Sequence, residues 1–99
     1  MTLYFGVKTD KPSAALDTIE AVASEAVAET KGCKLVRCAL TGIASGAVTH
    51  ELVYDDSARE QNRLALNRSA VLRILIERLE SKGLEVARAS DLPAPPAPF

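Results

Sequence analysis

The residues of this chain that could do chemistry are few. His50 is the only histidine, and histidine is the side chain whose ordinary pKa suits proton transfer near neutral pH. It falls in a Val48/His50/Leu52/Tyr54 alternation typical of one face of a strand. General-base work there would need a nucleophile or a carboxylate partner in space, whereas a satisfied or exposed strand histidine explains it without chemistry. Asp55-Asp56 pairs two carboxylates just before an expected helix start. Unpaired helix amides favour negative charge at that place, so the pair reads as structural. Cys33 and Cys38 lie five apart near a strand. An odd separation puts them on opposite faces and predicts two free thiols acting as small apolar residues. With one histidine in the chain, they cannot complete a four-ligand metal set. Gly42-Ile-Ala-Ser-Gly46 superficially suggests a phosphate loop, but no lysine follows and it joins two strands instead of opening a helix. The sequence therefore assigns no catalytic residue, no cofactor-binding residue and no metal ligand, and no enzymatic activity is expected.

Five arginines, Arg59, Arg63, Arg68, Arg73 and Arg78, fall on or beside one long helical stretch. A basic stripe could hold phosphates, yet steps of five rotate around a helix and Glu60, Glu77 and Glu80 are interspersed. A solvated face with ion pairs is the simpler reading. The formal net charge is −1 and aromatics make up 4% of the chain, without tryptophan. Neither a field that attracts polyanions nor a stacking platform for bases follows from that, so no nucleic-acid partner is expected.

The elements that must carry these residues read clearly. Leu3–Lys8 is short, aromatic and β-branched, a first strand. Pro12 suits a first helical turn, with Asp10 or Lys11 at the cap position. Leu16, Ile19, Val22, Ala23, Ala26 and Val27 then form one apolar helical stripe that ends at Lys31-Gly32. Lys34–Thr41 alternates as a second strand, Gly42–Gly46 is a short connection, and Ala47–Asp55 is a third strand, which favours an antiparallel hairpin. Ser57-Ala-Arg-Glu60 has the spacing of a capping box. The helix that follows is expected to bury Leu64, Val71, Leu72, Leu75, Ile76 and Leu79 and to stop at Lys82-Gly83. Leu84–Ala87 is a brief last strand. From Ser90 the chain turns proline-rich and reads as an extended exit or tail. The 99 residues thus divide into one domain over 1–89 and a tail over 90–99. The order β-α-β-β-α-β predicts an α+β, ferredoxin-like fold: a four-stranded, mainly antiparallel sheet with two helices on one face. No stretch approaches the ~20 uncharged apolar residues that cross a bilayer. No charged region followed by an apolar stretch marks a signal peptide, so the chain as given is expected to be soluble.

The texture of these segments resembles the C-terminal α/β domain of small-conductance mechanosensitive channels. In that family a strand with a Gly-Val core leads into an Asp-Thr-Asp-Pro-like turn; here this is Phe5-Gly-Val-Lys-Thr-Asp-Lys-Pro12. A strand, a short Gly/Ser link and an alternating strand follow, here Cys38 to Asp55. A helix resembling Arg-Ser-Glu-Leu-Asn-Leu-Ala-Ile-Leu and a Gly-Ile-Glu-Ile strand close the pattern, here Asn67 to Leu79 and Gly83-Leu-Glu-Val86. The likeness spans about residues 3 to 88. Where the family continues with a Pro-aromatic-Pro step, this chain has Ala87-Arg-Ala-Ser90.

The resemblance implies a soluble piece of a larger inner-membrane protein, on its cytoplasmic side, that contributes to subunit assembly, to a cytoplasmic cage and to modulation of gating. The partner it implies is the chain itself, in a homo-oligomer that is heptameric in the family. It carries over no catalytic residue. The alternative reading of the same fold is a stand-alone regulatory module that binds a small ligand or a partner protein.

Overall fold

The computed structural model describes residues 1–44 and 46–87, and there the chain runs β1 (Thr2–Lys8), α1 (Pro12–Ala28), β2 (Cys33–Ala44), β3 (Ala47–Asp56), α2 (Gln61–Ser81) and β4 (Glu85–Val86). The strands form one sheet in the order β2-β3-β1-β4, with every described pairing antiparallel. Both helices cover the face that carries Phe5, Val48, His50, Leu52 and Tyr54, and the buried core lies between the two layers. This is the expected α+β, ferredoxin-like arrangement. The expected tail over 90–99 and its boundary lie outside the described residues.

α1 forms because Ile19, Val22, Ala23, Ala26 and Val27 recur at helical spacing, and all are buried. Lys11 takes the cap position with Pro12 behind it, and no side chain caps the helix. The helix ends at Ala28, sooner than Lys31-Gly32. The Thr30 hydroxyl turns back to donate to the Ala26 carbonyl (2.9 Å), and Gly32 makes the turn into β2 with a φ of 86°.

Three further expectations change along β2 and at the start of α2. First, β2 continues through Gly42 and Ile43 to Ala44, which pairs with Ala47, so Gly42–Gly46 is mostly strand rather than a connection. Second, β2 carries two bulges, between Leu35 and Arg37 and between Leu40 and Gly42. Each adds one residue and resets the alternation. Cys33 pairs with Asp56 and Cys38 with Leu52, an even separation along β3, so the two thiols share the helix-covered face instead of opposing it. Both remain free. Third, the Ser57–Glu60 capping box does not form: α2 starts at Gln61, with Glu60 at the cap and no side-chain cap bond. The Ser57 amide donates to the Gly32 carbonyl (2.9 Å), and the Ala58 amide donates to Asp56 Oδ1 (2.9 Å). With those amides committed, the chain stays extended to Glu60.

α2 buries Asn67, Val71, Leu75 and Leu79, one residue per turn. Ile76, expected on the buried side, is 38% exposed. Its end matches the sequence signal. Gly83 (φ 78°) follows the last turn, the Leu84 amide reaches the Leu79 carbonyl and the Gly83 amide reaches the Glu80 carbonyl, the paired closure that a left-handed glycine allows.

Candidate assembly surface

His50 is fully buried on β3, between Phe5 of β1 and Leu40 of β2 in the ladder. Its ring stacks on Phe5 at 5.5 Å. Neither ring nitrogen has a hydrogen-bond partner among the described residues. Burial holds its pKa below the ordinary 6.5, against a weaker upward pull from Glu20, so the imidazole is neutral at pH 7. A base needs an open path to a proton and a partner to orient it; this ring has neither. The thiols are no more reactive. Burial, and then Glu20, raises Cys38 to about 11, and burial, with Asp56 adding to it, also raises Cys33. Both stay protonated at neutral pH and are poor nucleophiles.

The Asp55-Asp56 pair separates into two roles. Asp56 accepts from the Ala58 amide and from Asn67 Nδ2 (3.1 Å to Oδ1, 3.0 Å to Oδ2), which ties the exit of β3 to the second turn of α2. These bonds lower its pKa, with the Ala58 amide the largest contributor. Sequence reading missed Asn67. Its signal was an asparagine at a buried position of the helical stripe, where a polar side chain requires a partner. Of the arginines, Arg78 donates to Glu25 Oε2 (2.9 Å) and Glu29 Oε1 (2.7 Å) and clamps α2 to α1. On the open sheet face, Arg37 Nε and Nη2 both donate to Glu51 Oε1, and Thr41 and Thr49 share a hydroxyl bond. Tyr4, on the same face, donates from its hydroxyl to Glu51 Oε2 (3.4 Å). Among the described residues no group of three or more His, Cys, Asp or Glu could hold a metal ion.

Besides Tyr4 and Leu66, exposed large apolar residues gather on two flanks. β2 is an edge strand, and Val36, Leu40 and Ile43 are 49%, 43% and 71% exposed there. Leu40 and Ile43 pair with His50 and Val48 on the side of the helix layer, yet stay exposed at the sheet edge. On the other flank, the side of α2 turned away from α1 carries Leu72 and Ile76. With Ala65, Arg68, Ser69, Arg73 and Glu77 they line a shallow depression of about 500 Å³. Exposed apolar groups gathered in this way mark contact surfaces more often than catalytic ones. Sequence periodicity could not find them, because an apolar residue facing a partner and one facing the core leave the same pattern.

Comparison with known proteins agrees with this picture at the level of fold. No family model and no curated protein matches the chain. Two solved structures, of Arabidopsis thaliana MSL1 and of its A320V variant, superpose on 90% of the chain with a TM-score of 0.74 and 11% sequence identity in each case. The chain corresponds to 33% and 35% of those chains, about a third of their length.

Proposed function

We propose that this chain is the α/β domain of a small-conductance-type mechanosensitive channel, where it contributes to subunit assembly, to the cytoplasmic cage and to modulation of gating. The observation that carries the reading is the superposition of nine-tenths of the chain on part of MSL1, a channel of this type. It is supported by the apolar side chains that stay exposed on the two flanks. Among the described residues no helix is long and apolar enough to cross a membrane, so the pore belongs to other parts of the protein. The domain then acts by packing against its own copies, seven in the assembly that the resemblance implies.

The test is made on the full parent protein. Its gene is expected to encode apolar segments of ~20 residues outside this region. Deleting residues 1–87 is expected to reduce recovery of the assembled channel from membranes and to alter gating under tension in patches. A parent without membrane-spanning segments would overturn the reading. So would a deletion that left both assembly and gating unchanged.

A further inference from the structure

His50 sits where the sheet is least regular. The ring is fully buried, stacks on Phe5 at 5.5 Å, and has no hydrogen-bond partner on either nitrogen among the described residues. A neutral imidazole tolerates such a place, whereas a charged one without a partner is strongly disfavoured there. On the β2 side its ladder partner is Leu40, so both side chains lie toward the helix layer, and Leu40 is itself 43% exposed on the edge strand. The ladder is interrupted at this point. The register shifts between Leu40 and Gly42, which leaves Thr41 unpaired, and β2 then runs only to Ala44. The groups around the ring offer a proton no buried home. From α1, Glu20 acts on it, but that side chain is exposed. From β2, Cys38 lies one pair along on the same side and stays protonated. β3 itself adds Tyr54, whose phenol is raised by burial. β1 and α2 turn only apolar side chains and Asn67 into the described core.

We propose that protonation of His50 releases the Leu40–Ala44 end of β2 from β3 within the otherwise folded domain, which makes this edge a proton-sensitive flap. The cationic ring needs water, and the route that breaks least structure runs past Leu40. It undoes the pairs from Leu40 to Ala44 on an edge strand, and the regular pairs from Arg37 to Ala39 stay formed. Exposure through β1 or through the helices would instead open the core. Linkage sets the size of the effect. With the flap open the histidine regains its ordinary value of 6.5, and with it closed the value is lower. The open form therefore takes up a proton that the closed form refuses, and acid favours opening. The ratio of open to closed rises about tenfold for each pH unit below that ordinary value, until the closed-state value is reached. The flap goes beyond the assembly reading and does not depend on it.

The experiment is amide hydrogen exchange of the 99-residue chain, followed by NMR between about pH 7 and pH 5 and corrected for intrinsic rates. The ladder amides of Leu40–Ala44 are expected to open through a fluctuation smaller than global unfolding. Its population should rise about tenfold per pH unit below the ordinary histidine value. The amides of β4, on the opposite edge of the sheet, open without uncovering His50 and should keep a constant population. In His50→Leu the rise at β2 is expected to vanish. Leu40→Ala removes only the half-exposed cover. It is expected to move the NMR titration midpoint of His50 up toward 6.5, a readout that does not require any change at the histidine itself. Four results overturn the proposal: opening at Leu40–Ala44 that ignores pH or occurs only with global unfolding, an equal rise at β4, a rise that persists in His50→Leu, or a midpoint unmoved in Leu40→Ala.

Discussion

At the scale of single residues, the groups that look chemical are held for structural reasons, and their removal should be read in stability. His50 is buried and neutral, with a folded-state pKa below the unfolded 6.5. Below pH 6.5 the unfolded chain takes up a proton that the folded chain refuses, so the unfolded state is favoured as acid is added. The histidine's contribution is therefore intact above about pH 6.5 and is lost as pH falls from there toward the folded-state value. His50→Leu is expected to flatten the melting temperature between about pH 7 and pH 5, where the parent chain declines. Thermal unfolding by circular dichroism at stepped pH reads this directly, and a variant that keeps the parent's slope removes His50 as its source. Asn67 gives a second case. Asn67→Ala deletes both bonds to Asp56 and is expected to cost about 1–2 kcal/mol in chemical denaturation. Asp56, whose pKa is now depressed in part by Asn67, should then protonate at higher pH in an NMR titration. Gly32 gives a third. It combines a φ of 86° with a space where an added Cβ would lie 2.9 Å from Ser57 Oγ, whereas Gly83 (φ 78°) has nothing within 4 Å. Alanine at Gly83 should cost only the backbone part, roughly 1–2 kcal/mol, and alanine at Gly32 measurably more.

At the scale of elements, what could be read from the sequence was whatever has a period. Six elements in order, the apolar stripe of α1 and the glycine closure of α2 follow from local pattern. Both bulges of β2 escaped, since one extra residue is visible only against the partner strand. They decided the faces of Cys33 and Cys38. The capping-box motif at Ser57–Glu60 was present, but bonds from Gly32 and Asp56 had already claimed the amides that open it. The candidate site was the least legible part. Ile76 and Ile43 owe their meaning to which neighbours fail to cover them, a property of tertiary placement. The bulge leads to a contrast between two deletions. Val36 has no ladder partner, so removing it leaves Leu35 opposite Tyr54 and Arg37 opposite Val53, and stability should change by less than about 1 kcal/mol. Removing Ala39, inside the regular stretch between the bulges, exchanges the faces of Arg37 and Cys38 and turns a guanidinium toward the core. That should cost at least about 2 kcal/mol. Denaturant midpoints of the two variants compare them directly, and equal losses would mean that β2 is not anchored by its register.

At the scale of the whole molecule, stability should be graded outward from β3. This strand has neighbours on both sides, seven pairs with β1 and a ladder with β2 along its full length, and its inward side chains Val48, His50, Leu52 and Tyr54 are fully buried. β4 contributes two residues paired with Val7 and Lys8, and β2 has one unpaired rim. Local opening is easiest where backbone bonds are few and apolar contacts sparse. In native-state hydrogen exchange, the slowest amides should therefore belong to β3 and β1, with opening free energies equal to that of global unfolding. Those of β4 and the Leu40–Ile43 segment should exchange through smaller openings. Leu52→Ala, at the centre, should cost about 2–5 kcal/mol and lower the protection of every slow amide together. This gradient bears on assembly. Copies of the chain packed against the exposed β2 edge would cover a weakly protected segment while leaving the centre unchanged. Exchange of the Leu40–Ile43 amides should then slow as chain concentration rises, while the β3 amides stay constant. Uniform slowing across the sheet would mean that association stabilises the domain as a whole, and no change at β2 would take that edge out of the contact.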